Sequence, residues 1–147
     1  FVLIGLKRTE NLLLANEQLR RRFSATVAYD RFTFSANTSL HFVMLLQAIE
    51  GELPVQTISF VEPAMIKRFY LASYGLIDYL IKIVDRAVWL VQVQDLVGIE
   101  LPVLAQAFED EVWSYATEDR NPFSASFNFQ PLFGKREPFE TFEESST

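Results

Sequence analysis

Residues 62–96 read EPAMIKRFYLASYGLIDYLIKIVDRAVWLVQVQDL, and how this stretch folds decides how the rest must pack. Pro63 falls where a first helical residue has no use for its missing N–H. Ile66, Phe69, Leu76, Ile77, Leu80, Ile83, Val84, Ala87, Leu90 and Val91 then recur at helical spacing around a broad apolar face. As one helix the stretch spans about 50 Å at ~1.5 Å rise per residue. A helix apolar over so much of its circumference must be covered on several sides. Its polar residues Asp78, Lys82, Asp85 and Gln92 form one narrow stripe, in which Asp78 and Lys82 stand four apart as a supporting pair. Trp89 falls on that same stripe, where water is expected. Gly75 marks a bend or a close helix contact.

Working outward, residues 3–24 read as a helix, with Leu6 and Leu13, and Leu12 and Leu19, at seven-residue spacing. A further helix is expected from Thr38 to Ile49, capped by Asn37 or Thr38 and stopped at Gly51. The last runs from Glu100-Leu101-Pro102 to Thr117, with Leu104, Phe108, Val112 and Tyr115 as its core stripe. The expected fold is therefore mainly α, about four helices packed around a long central helix (62–96), with a C-terminal extended arm. β-branched and aromatic residues at 26–34, 55–61 and 123–130 support a second arrangement, an α+β fold in which those three segments pair as a small sheet.

From Glu118 the character of the chain changes. Residues 118–147 hold three of the six prolines and six of the fourteen phenylalanines. Phe127 and Phe129 alternate with a polar residue, the period of an extended segment. The chain accordingly divides into a helical domain, 1–118, and an arm, 119–147. Apolar rings in a Pro-punctuated segment find no shelter in their own local structure. They either pack on the helical domain or dock into a neighbour. Docking is the favoured expectation, and deletion of 119–147 is then expected to abolish assembly while sparing helicity.

The candidate chemistry is sparse. There is no cysteine, which removes disulfides, thiolate nucleophiles and zinc–thiolate sites. His41 is the single histidine. No Gly-x-Ser-x-Gly turn accompanies it, and it is expected to be a structural residue in or beside an apolar helix face. The five glycines stand at 5, 51, 75, 98 and 134, too dispersed to build a phosphate-cradling loop. Glu109, Glu111, Glu118 and Asp119 offer oxygen ligands, but they read as exposed acids on and after the last helix. No catalytic, cofactor or metal site is expected.

The formal net charge of −6 argues against nucleic acid as the primary ligand. The charge is uneven. Residues 1–31 carry six basic against three acidic side chains, and residues 32–147 a formal −9. The Arg20-Arg21-Arg22 run spans nearly a turn of helix, which suits a solvated face or a charge contact with an acidic neighbour.

The expected function is that of a non-enzymatic structural or assembly subunit that binds other protein chains, such as a viral or phage particle component or an accessory subunit of a large complex. Phe123, Phe127, Phe129 and Phe133 would anchor the arm, Trp89 would present an exposed aromatic, and Arg20, Arg21 and Arg22 a charge contact. Homo-oligomers or larger assemblies are the expected partners. Two alternatives stand beside it. A membrane-tethered helical domain would need an anchor upstream of FVLIGL (1–6), since no stretch here supplies the ~20 apolar residues of a span. A helical bundle holding an apolar ligand would use the same Phe, Leu and Ile residues that ordinary core packing uses.

Overall fold

The computed structural model describes residues 11, 14–22, 30–35 and 39–145. The chain falls into two compact units, 1–30 and 31–147. In the first, a short helix α1 (Glu17–Arg22) lies within the predicted 3–24 helix. Asn16 accepts from the Gln18 amide at 3.1 Å, and Arg21 reaches back to Glu17 at 2.6 Å, both exposed. The rest of the predicted helix, including FVLIGL, lies outside the described residues, apart from helical positions at 11, 14 and 15.

The second unit is mainly helical. Its order is α2 (Ser39–Gly51), β1 (Gln56–Thr57), α3 (Pro63–Ser73), α4 (Ile77–Val93), β2 (Gly98–Ile99), α5 (Leu101–Glu111) and a 3-10 segment (Glu140–Ser145). The stretch predicted as one central helix is two. α3 ends where Tyr74 and Gly75 enter the left-handed region at φ 50° and 73°, and the Tyr74 amide closes the last turn on the Tyr70 carbonyl at 2.6 Å. A left-handed residue after the last turn is a standard helix stop. Ser73 secures it, its hydroxyl donating to the Phe69 carbonyl and accepting from the Gly75 amide. Leu76 is extended, and α4 starts at Ile77. Pro63 and Pro102 sit in the first turns of α3 and α5 as expected. α5 stops at Glu111, earlier than predicted.

The predicted small sheet of 26–34, 55–61 and 123–130 is not formed among the described residues. Residues 30–34 and 123–130 are not strands, and 26–29 lie outside the described set. Gln56–Thr57 instead pairs in parallel with Gly98–Ile99. A Cβ on Gly98 would stand 2.5 Å from the Gln56 carbonyl oxygen, so this contact takes glycine at that position.

The C-terminal segment is not an extended arm. Residues 119–145 belong to the second unit and fold back on it. Phe123, Leu132 and Phe139 are each 1% exposed and join Phe69, Leu80, Ile83 and Phe108 in one core. The rings form a chain of contacts, Phe60–Phe69 at 4.6 Å, Phe69–Phe123 at 5.0 Å and Phe108–Phe123 at 6.4 Å. Tyr74, at the helix break, meets Phe133 at 4.9 Å and Phe142 at 5.2 Å. Edge-on and tilted pairs of this kind add modestly to simple area burial.

Polar anchors hold the segment in register. Arg68, buried on α3, donates to the carbonyls of Pro122 at 2.6 Å and Ser124 at 2.8 Å. Buried Asn121 donates to the Ala105 carbonyl and to Glu109, and accepts from the Phe123 amide. Arg120 grips Glu137 with two bonds of 2.7 Å and adds the Pro131 carbonyl at 2.8 Å. A two-bond fork between arginine and carboxylate fixes geometry as well as charge. No buried side-chain polar atom among the described residues lacks a partner.

Candidate protein-docking surface

Each side chain singled out in the sequence has a definite place, with one exception. Phe123 and Phe127 are buried. Phe129 is half-buried beneath the Arg68 guanidinium, 4.8 Å away, and Phe133 half-buried against Tyr74. These four rings pack within the unit rather than projecting from it. Arg21 and Arg22 are exposed on α1; the side chain of Arg20 lies outside the described residues. His41 is exposed on α2, not sheltered on an apolar face. The four acids do not converge. Glu109 takes Asn121, Glu111 stands 3.8 Å from Arg86, and Asp119 accepts from Thr117.

Trp89 is where the stripe placed it, on the water side of α4 and 47% exposed. It is not loose. Arg86 lies over its ring at 4.4 Å and ion-pairs with Asp110 of α5 at 2.7 Å. Partial burial pushes the Asp110 carboxyl up, but hydrogen bonds from Arg86 and Gln106, together with the Arg86 charge, outweigh this and hold it below the usual range. On the same arc the Lys82 ammonium is held above its ordinary value by its hydrogen bond to Asp78.

At ~100° per residue, the exposed arc of α4 starts at an apolar flank, crosses the polar stripe with Trp89 inside it, and ends at Val93. The flank is Ile77, Ile81 and Val88, with Ile77 51% and Ile81 39% exposed. It borders a groove of about 500 Å³ whose far wall is the end of α2 and the turn after it. α2 is apolar nearly all round, yet only Phe42 and Leu46 are buried. Leu40 and Met44 stand out at 64% and 57% exposure, and Ala48 continues their row into the groove. A smaller recess of about 240 Å³ lies between the end of α4 and the start of α5, at Leu90, Leu96 and Pro102.

The periodicity of the sequence placed Ile77 on the broad apolar face, and so missed this surface. One signal pointed to it. α2 has more apolar positions than one buried row can absorb. Among the described residues no helix is long and apolar enough to cross a membrane. No protein-family model matches the chain, and neither does any curated protein or solved structure.

Proposed function

We propose that this chain is a non-enzymatic assembly subunit that binds other protein chains through the exposed arc of α4. One observation carries the proposal: large exposed apolar side chains border and interrupt one narrow polar stripe, Ile77 and Ile81 on one side, Trp89 within it and Val93 on the other side. Scattered exposed apolar residues are ordinary, but rows that share one helix with a polar rim are the usual anatomy of an interface. Trp89, braced by Arg86, is the kind of rigid aromatic that anchors such contacts.

Amine cross-linking in the native source, followed by mass spectrometry, tests this. Lys82 lies on the exposed arc beside Trp89, whereas Lys135 lies on the C-terminal segment. Intermolecular cross-links are expected to concentrate at Lys82. Cross-links that favour Lys135, or none between chains, count against the proposal.

A further inference from the structure

The groove between α2 and α4 has an apolar floor and an uncompensated acidic edge. Its lining includes Ala48, Leu53, Ile81 and Val88, together with the carboxylates Glu52 and Asp85. Both acids are exposed, and among the described residues neither enters an ion pair. Among the described residues, the cations nearest in sequence to Asp85 are engaged elsewhere. Lys82 is on Asp78 at 2.8 Å, and Arg86 is turned to Asp110 at 2.7 Å. Neither α2 nor residues 52–62 contain any Lys or Arg, and residues 32–147 carry a formal −9.

The groove also has the dimensions of a helix seat. Ile81, Val84 and Val88 run along one wall over about 10 Å, or two turns. Ala48, Ile49, Leu53 and Pro54 make the other.

We propose that this groove binds an amphipathic helix of another protein through about two of its turns, with an apolar i, i+4, i+7 face and Lys or Arg on its flanks. The proposal rests on the reading of this chain as a protein-binding subunit, and adds the chemistry of the partner. Apolar burial supplies most of the affinity. Glu52 and Asp85 supply selection and steering. A second copy of the acidic body is the poorer occupant, because like net charges repel.

The test uses the full chain and two fluorescein-labelled helical peptides of about four turns. Both carry leucines at i, i+4, i+7 and i+11; one has lysines on the flanks and the other glutamates. Fluorescence anisotropy is expected to show the lysine peptide binding at least about tenfold tighter, with the gap narrowing as salt rises from roughly 0.05 to 0.5 M. Changing both Glu52→Lys and Asp85→Lys is expected to reverse the order. Ala48→Gln and Ile81→Asn should weaken both peptides, and Tyr115→Ala, exposed and outside the groove lining, should change neither. Circular dichroism confirms that each variant is folded. Equal binding of the two peptides overturns the basic partner while leaving a protein-binding groove. Binding that ignores Ala48→Gln and the charge swap overturns the site. No binding of either peptide also overturns it, and self-association abolished by Ala48→Gln would then assign the groove to a second copy. Lys82 cross-linking scores the underlying reading separately, so the two failures are distinguishable.

Discussion

The Phe32 amide donates to the Gly75 carbonyl at 2.7 Å, and a Cβ added to Gly75 would overlap the Phe32 carbonyl oxygen. Two segments more than forty residues apart thus meet backbone to backbone, at the point where the central stretch breaks. Gly75 has φ 73°, a conformation that costs an L-residue roughly 1–2 kcal/mol before any clash.

Gly75→Ala is therefore expected to destabilise the fold by at least about 2–3 kcal/mol, strain and overlap together. Gly51, at the end of α2, has nothing within 4 Å of the point an alanine methyl would occupy. Gly51→Ala should be neutral or stabilising by up to ~1 kcal/mol. Urea denaturation of both variants checks the contrast, and equal costs would contradict it.

Arg68 ties α3 to the C-terminal segment through two carbonyls. Burial lowers its pKa from the ordinary arginine value, but a guanidinium stays protonated in proteins. Arg68→Met is expected to cost about 2–4 kcal/mol, because two buried carbonyls lose their donor. Arg68→Lys should recover only part of this, since an ammonium does not stack on Phe129 as the planar guanidinium does. Hydrogen exchange at residues 121–129 is expected to accelerate before that of α4.

Deletion of 119–147 removes Phe123, Leu132 and Phe139 from the core. At roughly 3–5 kcal/mol for each large buried side chain, the loss rivals the ~5–15 kcal/mol that a whole domain possesses. The truncated chain is expected to lose its cooperative thermal transition. Retention of a sharp transition would show that the segment is dispensable to the core, as an arm would be.

The Asp110 carboxyl has a folded pKa below its usual value. Its ionised form therefore contributes stability that is fully present above the unfolded value of ~3.9 and is lost as pH falls through the depressed folded value. Asp110→Asn should destabilise the protein at neutral pH, with a deficit that shrinks as the pH drops below about 4. Stability measured from pH 2 to 7 for both proteins checks this; a deficit independent of pH would place the role of Asp110 in packing alone.

The helical class was legible in residues 62–96 because periodicity is a local property, and Pro63 and Pro102 mark helix starts by their own covalent geometry. Trp89 was legible for the same reason: its angular position beside Lys82 and Asp85 follows from residue spacing. The helix break was only half visible. Gly75 signalled a bend, but the full stop also uses Tyr74 in a left-handed conformation, the Ser73 hydroxyl and a hydrogen bond from Phe32. The docking groove was not legible, because it sets Ala48, Ile49 and Leu53 against Ile81 and Val88, a juxtaposition that no local period states.

Local sequence by itself determined that the chain is helical, where α3 and α5 begin, and that α4 carries an exposed polar stripe with a tryptophan in it. Tertiary structure alone decided the fate of the phenylalanine-rich segment. Its rings have no periodicity that names an acceptor, and a ring released from water is satisfied equally by its own domain or by a neighbour. Long-range partners settle that choice: the Arg68 guanidinium on Pro122 and Ser124, the Arg120–Glu137 fork, and the space that Phe123 fills between Phe69 and Phe108.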